Sequence, residues 1–597
     1  MKHHIAYHIA PKDLAGHLFA VRLTVAQPDP AGQMLALPAW IPGSYMIREF
    51  ARNIVQISAT CGGKPVALEK ISKDCWQAAA CKGALQVEYE VYAWDLSVRA
   101  AHLDQSHGFF NGTSVFLRVL GQEDLAHVVE IAKPEQSECK NWRVATSLPE
   151  QKAKRYGFGS YIAADYDELI DHPVEMGDFA IASFKAHGVP HDVVVTGNVP
   201  NLDLERLCGD LKKICEAQIA FFEPKTRRAP MSRYVFMTMA VGDGYGGLEH
   251  RASTALICKR EDLPYKGEAK DSLREGYRTF LGLCSHEYFH TWNVKRIKPA
   301  VFVPYDLQVE NYTPLLWLFE GFTSYYDDLF LVRCGIISEA DYFGMQAKVI
   351  NGVLRGTGRL KQSVADSSFD AWGKYYRQDE NSPNAIVSYY TKGSLVAWAL
   401  DLTIRSKTGG ERSLDDFMRI LWQRYGQDFY ENKASQRGVF DEEAQEIAEE
   451  VAGCKLKQFF SRYVHGTEDL PFDKLLPEFG LSYSNQPPAA ASLDVATGRE
   501  GNDCKLAKVY EGGAAHKAGL SGNDLLIALD GIRVTPSNLD ALLARYRVGD
   551  KVKLHAFRRD ELLEFSATLS ASGAAGVKLE LAKAGKKAAL PRPTEGV

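Results

Sequence analysis

The sequence contains no long apolar run. Its longest candidates, such as LVAWAL at 395–400, fall far short of the roughly 18 residues that a membrane-spanning helix needs. The amino terminus, MKHHIAYHIAPKDLAGHLF, alternates apolar and polar residues like a strand and lacks the apolar core and small-residue cleavage site of an export signal. We therefore expect a cytoplasmic protein with no membrane segment.

Cysteine pairs and blocks of like charge are also missing. The eleven cysteines are scattered from Cys61 to Cys504 without a CxxC pair, which argues against a disulfide framework and against a thiolate zinc site. Charged residues make up 24% of the chain, with a net charge of −5 and no long block of one sign. This composition gives no reason to expect a nucleic-acid partner.

The length of 597 residues predicts several domains. Short β-like runs such as HLFAVRLTV, LQVEYEVYAWDL and SVFLRVLG, separated by turn residues, predict an antiparallel β domain over 1–170. Helical patterns begin near 200, where leucines recur at helical spacing, and continue over 270–293, 314–333 and about 390–465. They place a second domain, with a helical continuation, in 171–484.

The carboxyl-terminal part is set apart by composition. The Pro- and Ala-rich segment SNQPPAAAS predicts a boundary before a small domain over 485–580. The last residues, 581–597, have little apolar content and predict a flexible tail.

An HExxH pentad lies at 286–290, in the sequence HEYFH. At about 100° per residue, His286 and His290 project from nearly one face of a helix, so both imidazoles can reach one metal ion. The apolar stripe of the same helix lies on the other side, so its burial turns the histidines toward a cleft. The alternative interpretation is a pair of buried histidines satisfied by hydrogen bonds.

A third ligand is offered by Glu320 in the stretch LLWLFEGF. A catalytic zinc site takes three protein ligands and leaves the fourth position for water. A lone carboxylate among apolar residues costs several kcal/mol unless a metal or a partner compensates its charge. Glu287 stands beside the ligands without being needed as one, so it can act as the general base on a zinc-activated water.

With HEYFHTW and WLFEG in place, the chain resembles the gluzincin metallopeptidases, and among them the glycyl aminopeptidase family. Further matching segments are PGSYMIREFARN at 42–53, YGGLEHRAST at 245–254 and YYTKG at 389–393. The resemblance implies a thermolysin-like catalytic domain, one zinc ion per chain, and preference for amino-terminal Gly or Ala. The spacing from His290 to Glu320 is longer than in the membrane-alanyl aminopeptidase branch and agrees with the glycyl aminopeptidase branch.

The resemblance also implies residues that act on the substrate. Tyr390 occupies the position of the tyrosine that stabilises the oxyanion. Gly246 and Gly247 allow a strand to approach an extended peptide closely. Glu249 occupies the position that binds the free α-amino group of the substrate, although this chain has GGLEH, with His250 where the related aminopeptidases have asparagine.

The final segment, with AGLSGNDLLIALDG, a helical NLDALLARY and a strand-like DKVKLHAF, resembles a PDZ domain. Such a domain can capture a peptide by strand addition, although a structural role fits the sequence equally well. The fold class expected overall is multidomain α+β: an N-terminal antiparallel β domain, a thermolysin-like zinc domain and a PDZ-like domain.

The favoured hypothesis is an aminopeptidase acting on peptides with a free amino terminus. A PDZ-assisted zinc endopeptidase and an inactive peptide-binding scaffold stay open as alternatives. The complete set of metal ligands together with Glu287 weighs against the scaffold, and Glu249 separates the exopeptidase from the endopeptidase.

Overall fold

The computed structural model describes residues 5–269 and 273–581. The chain forms two compact units. Of the described residues, the first unit comprises those up to Asn311 together with Leu421–Val439, and the second comprises Tyr312–Ile420 and those from Phe440 to Leu581. The domain boundaries predicted at 170 and 484 stay predictions, and residues 582–597 of the predicted tail lie outside the described residues.

The first unit begins with a seven-stranded sheet. Its strand Ile5–Asp13 buries every second residue from Ile5 to Pro11, as expected where successive side chains point to opposite faces of a sheet. That strand pairs antiparallel with Leu18–Val25 and parallel with His127–Ile131. In spatial order the strands are Gly159–Ala163, His127–Ile131, Ile5–Asp13, Leu18–Val25, Leu85–Tyr92, Ile54–Cys61 and Lys64–Val66.

Two smaller antiparallel sheets accompany it, so the amino-terminal region is β-rich as expected. It is not antiparallel throughout, as predicted, because Ile5–Asp13 and His127–Ile131 run parallel. One consists of Arg143–Ala145, Val174–Gly177, His107–Phe110 and Ala101–Leu103. The other consists of Arg118–Val119, Met34–Ala36, Cys75–Ala78 and Leu68–Lys70.

The run SVFLRVLG differs from its prediction as one strand. It forms only the short strand Arg118–Val119, after the helical turn Gly112–Val115. Its apolar residues Val115, Phe116 and Leu117 are buried consecutively. A run that is buried on all sides carries no alternation, so its conformation cannot be told from periodicity alone.

A five-stranded mixed sheet completes the first unit. In spatial order it consists of Ala180–Ala186, Val189–Thr196, Tyr234–Val241, Ser253–Lys259 and Gly246–His250. The last of these, which we call the edge strand, runs antiparallel to its neighbour Ser253–Lys259. The α-helices of this part of the chain are Gly112–Val115, Tyr166–Ile170, Leu204–Phe222 and Glu275–Phe289.

Two of these helices follow from local sequence. Leu204–Phe222 begins where the carboxylate of Asp203 accepts a hydrogen bond from the amide of Arg206, a standard N-cap. Glu275–Phe289, here called the HExxH helix, falls within the predicted span of 270–293, of which 270–272 are not described. The HExxH helix packs on the edge strand.

The rest of the chain is mainly helical before its final sheet, as the sequence predicts. The α-helices from residue 312 onward are Leu316–Phe319, Gly321–Arg333, Glu339–Arg355, Val364–Phe369, Ser382–Ala385, Thr391–Lys407, Leu414–Leu421, Glu443–Ala452, Lys457–Phe459, Phe472–Leu475, Ala514–Ala518 and Leu539–Leu543. The helix predicted over 314–333 is divided at Glu320. Among the described helices, none has the length and apolar character that a bilayer crossing requires.

The final part of the second unit contains a six-stranded sheet. Its strands are Val495–Glu500, Asp503–Val509, Leu525–Leu529, Ile532–Arg533, Lys551–Arg558 and Glu561–Thr568. Alternate residues of these strands, such as Leu506, Leu526 and Leu554, contribute to its core. Two separate pairs of strands are Leu481–Asn485 with Val577–Leu581 and Ala491–Ser492 with Ser570–Ala571.

This final part contains the secondary structure that the sequence predicts for it. NLDALLARY contains the helix Leu539–Leu543, and DKVKLHAF contains most of the strand Lys551–Arg558. The assignment of residues 485–580 as PDZ-like stays a prediction.

Candidate metal centre and active site

The two histidines of the HExxH motif lie at the carboxyl-terminal end of the HExxH helix. Their separation by four residues stacks them on one helix face, and their Nε2 atoms are 3.1 Å apart. His290 follows the last helical residue and donates its amide to the carbonyl of His286. The structure therefore brings the two imidazoles to one point.

A backbone carbonyl fixes the orientation of the His290 ring. Its Nδ1 lies 2.7 Å from the backbone carbonyl of Asn293. A carbonyl can only accept, so Nδ1 carries the proton and the lone pair of a neutral His290 is on Nε2. Metal-binding histidines are commonly held in this way through their second nitrogen. Two imidazole nitrogens at such close range fit a borderline-soft cation such as Zn²⁺.

Glu287 lies under the edge strand. Its side chain is buried, and one oxygen of Glu287, one oxygen of Glu249 and one nitrogen of His290 all lie within 4.8 Å of one another. A Cβ atom added to Gly247 would overlap the Glu287 carboxylate. The absence of a side chain at Gly247 is therefore what lets the strand backbone pass directly over Glu287.

The edge strand is open on one side. It pairs through Gly247 with Leu256 and through Glu249 with Thr254, and no strand among the described residues occupies its other side. The Arg99 guanidinium donates to the carbonyl of Gly247 at 3.3 Å. Sequence reasoning missed Arg99, because no local pattern connects it with the glycine pair.

Glu249 is buried against a turn from the amino-terminal region. A Cβ atom added to Gly43 would lie 2.5 Å from Oε1 of Glu249, and Gly43 has a φ of +94°. Two features therefore disfavour any other residue at position 43: the positive φ of the backbone, and the overlap of a Cβ atom with the Glu249 carboxylate. The Pro-Gly pair in PGSYM is the sequence signal for this turn, but it does not reveal that the turn cradles Glu249.

His250 binds a buried carboxylate. Its Nδ1 lies 3.1 Å from Oδ1 of Asp171, which also receives the Lys295 ammonium at 2.8 Å. Arg251 binds the second oxygen of Asp171 at 3.0 Å. Burial alone would raise the pKa of Asp171, but the surrounding cations, Lys295 foremost, hold that pKa well below its ordinary value. His250 thus anchors the end of the edge strand to an ionised carboxylate.

The second unit contains Glu320 and Tyr390. Glu320 is 2% exposed and stands at the junction of the helices Leu316–Phe319 and Gly321–Arg333. Burial and then the Glu320 carboxylate are the two largest causes that raise the pKa of Tyr390 well above its ordinary value. Tyr390 is therefore a hydroxyl donor throughout the neutral pH range.

A contact between two glycines places Tyr390 beside Glu320. A Cβ atom added to Gly321 would lie 2.6 Å from the backbone of Gly393, and one added to Gly393 would lie 3.0 Å from Cα of Gly321. The helices Gly321–Arg333 and Thr391–Lys407 thus cross at backbone contact. From the sequence alone, the glycines that end WLFEG and YYTKG are only parts of two motifs. The structure shows that they share a role, because they form the contact between the two helices.

The two adjacent tyrosines at 389–390 differ in environment. Tyr389 is fully buried, whereas Tyr390 is partly exposed and its hydroxyl lies 3.4 Å from the hydroxyl of Tyr376. The amide of Tyr390 donates to Ser388 Oγ at 3.2 Å. Of the two, only Tyr390 reaches the surface, which favours it over Tyr389 as the residue that meets a substrate.

Two segments of the chain match known protein families. Residues 6–178 match the Peptidase M61 N-terminal domain, and residues 279–396 match the M61 glycyl aminopeptidase family. No curated protein matches the chain.

Solved structures also resemble this chain. The crystal structure of an aminopeptidase N family protein from Idiomarina loihiensis is 40% identical over 97% of this chain and 98% of its own, with a TM-score of 0.92. An M1 zinc metallopeptidase from Deinococcus radiodurans, solved as a mutant bound to a Tyr-Ser-Ala substrate, is 14% identical over 78% of this chain and 95% of its own, with a TM-score of 0.47.

Proposed function

Because the chain belongs to the M61 glycyl aminopeptidase family, we propose that it is a zinc aminopeptidase that releases small amino-terminal residues, Gly and Ala foremost, from peptides. The observation that carries the proposal is the short distance between Glu249, Glu287 and His290, whose donor atoms lie within 4.8 Å of one another. The α-amino nitrogen of a peptide is only two covalent bonds from its first scissile carbonyl carbon. A carboxylate this close to the reacting groups leaves room for one residue, which is what an aminopeptidase requires.

We propose that His286, His290 and Glu320 hold one catalytic zinc ion. Two neutral imidazoles and one carboxylate are a common ligand set of catalytic zinc, and the tautomer of His290 leaves its Nε2 lone pair available. When bound, zinc polarises the carbonyl of the substrate and lowers the pKa of a coordinated water to about 7.

Glu287 handles the proton in this proposal. As a buried carboxylate under the edge strand, it accepts the proton of the attacking water and passes it to the departing amine. Tyr390 donates its hydroxyl hydrogen bond to the oxyanion of the tetrahedral intermediate. A tyrosine hydroxyl, whose ordinary pKa is about 10, keeps its proton at neutral pH and so can donate this hydrogen bond.

The edge strand aligns the substrate in this proposal. An extended peptide adding to its open side meets Gly246 and Gly247, whose small size permits backbone contact, and its amino group reaches Glu249. The Gly43 turn and the His250–Asp171 pair restrict the motion of Glu249 and of the strand end. A charge-assisted hydrogen bond in a closed site contributes about 1.5–3 kcal/mol.

The experiment is a double comparison of substrate and enzyme. Peptides beginning with Gly or Ala are supplied with a free or an acetylated amine to wild type and to Glu249→Ala, and kcat/KM is measured. The variant should retain zinc and lose roughly 10-fold to 150-fold on free peptides, the range that corresponds to about 1.5–3 kcal/mol. Acetylation should reduce the activity of the wild type far more than that of the variant.

Glu205→Ala, at an exposed position in the first turn of the helix Leu204–Phe222, is the control and should behave as wild type. If wild type cleaves acetylated peptides internally as fast as free ones, Glu249 is not an amine anchor. A zinc endopeptidase would then replace the aminopeptidase as the function of this site.

A further inference from the structure

A second group of potential metal ligands lies on a hairpin of the first unit. The strands Ala101–Leu103 and His107–Phe110 are joined through the sequence DQS, and one donor atom of each of His102, Asp104 and His107 lies within 4.8 Å of the others. None of these residues belongs to the site proposed above. The turn is held by Asp104 itself, whose Oδ1 accepts from the amide and hydroxyl of Ser106 at 2.6 Å.

His107 is held as a metal ligand would be. It is buried, and its Nδ1 lies 3.2 Å from Oε1 of Glu175. The same oxygen accepts from the hydroxyl of Thr196 at 3.0 Å, so Glu175 acts as an acceptor at both contacts. Nδ1 of His107 therefore carries the proton, and a neutral His107 keeps its lone pair on Nε2. A carboxylate behind a histidine in this way is the usual outer support of a bound metal.

His102 has an unused nitrogen. The residue is 5% exposed, and its Nδ1 has no hydrogen-bond partner in the part of the chain that the structure describes. A buried polar atom without a partner is unfavourable, so such an atom calls for an explanation. The ring lies between Trp94 and His107, at centroid distances of 4.7 Å and 4.8 Å. The imidazole is thus packed between two rings while its Nδ1 has no hydrogen-bond partner among the described residues.

The group borders a cleft. His102, Asp104 and His107 line one wall of a cleft of about 840 Å³ whose other residues include Asp178 and Asn198. Imidazole and carboxylate donors together suit first-row divalent ions, whereas Mg²⁺ and Ca²⁺ prefer oxygen ligands alone. Three protein ligands leave at least one position for water or another small ligand.

We propose that His102, Asp104 and His107 form a second site for a divalent transition-metal ion such as Zn²⁺, separate from the catalytic centre. Their donor atoms lie within 4.8 Å of one another, and zinc bonds of about 2.0–2.2 Å require a closer spacing, so a bound ion would draw the three side chains together. Through the contact between His107 and Glu175, the site links the hairpin to the neighbouring strand Val174–Gly177 of the same four-stranded sheet.

The test removes the catalytic ligands first. The full chain carrying His286→Ala and His290→Ala is titrated with ZnCl₂ in a calorimeter, and one binding event should remain. Adding Glu175→Gln removes an outer support and should weaken that zinc binding by about 10-fold to 100-fold. Adding His102→Gln removes a proposed ligand and should weaken it more. His8→Gln, at a partly exposed strand position, is the control and should leave the titration unchanged.

A second measurement uses the wild-type chain, so it does not depend on how the variants fold. Crystals soaked in ZnCl₂ and measured on both sides of the zinc absorption edge should show an anomalous peak between His102, Asp104 and His107. An absence of that peak at millimolar zinc would overturn the proposal, as would a titration that His102→Gln leaves unchanged in a folded protein. Neither readout uses peptidase activity, so the two proposals fail independently.

Discussion

The two units position their proposed functional residues in different ways. In the first unit, His286 and Glu287 lie in the last turn of one helix and His290 directly follows it, and a single strand supplies Gly247 and Glu249. In the second unit, Glu320 and Tyr390 come from separate stretches of chain. Their proximity depends on one crossing of helices, at which the glycines after Glu320 and in YYTKG are in contact.

The distances between these residues are fixed in two different ways. Where residues share a helical turn, their spacing in sequence fixes their spacing in space. Where they belong to different elements, a packing contact has to fix it, and the residues that make this contact carry no chemistry of their own. Gly43, Gly247, Gly321 and Gly393 are such residues, each in contact with a side chain or backbone that would collide with a Cβ.

The largest expected effect tests the chemistry of the first unit. Glu287→Gln removes a proton acceptor but no proposed ligand, so we expect zinc content to persist and the rate to fall by about 10²–10⁴. Turnover and elemental zinc content are measured on the same preparation. Glu275→Gln, at the exposed start of the same helix, is the matched control. Near-normal turnover of a folded, zinc-loaded Glu287→Gln protein would assign the proton transfer to another residue.

The next effect tests the chemistry of the second unit. Tyr390→Phe removes only a hydroxyl, and if that hydroxyl stabilises the oxyanion, kcat should fall by about 10²–10³. Tyr389→Phe provides the comparison, because that ring is buried and should keep its packing with activity close to wild type. Equal losses in the two variants would point to a packing role for both tyrosines.

A metal-content measurement asks whether both units contribute ligands. His290→Ala and Glu320→Ala should each lose the catalytic zinc, as measured by elemental analysis after dialysis, because a three-ligand site loses a third of its protein donors in either variant. Glu339→Ala, at an exposed position in the first turn of the helix Glu339–Arg355, is the control and should bind zinc as wild type does. Full zinc retention in Glu320→Ala would remove that residue from the ligand set.

The smallest effect concerns the packing contact itself. Gly321→Ala places a methyl group against the Gly393 backbone, and overpacking of this kind destabilises by about 1–3 kcal/mol. The free energy of unfolding from denaturant titration should fall accordingly, together with activity. Gly352→Ala is the control, since a Cβ there meets nothing within 4 Å, and in a helix it should stabilise by about 0.5–1 kcal/mol. A Gly321→Ala protein as stable as wild type would show that this crossing can relax.

Periodicity predicted the elements that are half-buried more accurately than those that are fully enclosed. The strands Leu18–Val25 and Leu85–Tyr92 and the amino-terminal half of the helix Leu204–Phe222 each have one buried face, and the sequence showed each of them. The consecutive apolar run around Phe116 was predicted as strand and is largely irregular. The junction at Glu320 was missed, because both flanking segments are helical and apolar.

By itself, the sequence determined that two histidines face one point with a glutamate beside them, because the geometry of a helix converts a spacing of four residues into a shared face. It also determined a β-rich region followed by a mainly helical one. Only the tertiary structure decided that Gly43 encloses Glu249, that Asp171 binds His250, and that two glycines bring Glu320 to Tyr390. These contacts join residues distant in the chain, and close packing, which has no local period, is what fixes them.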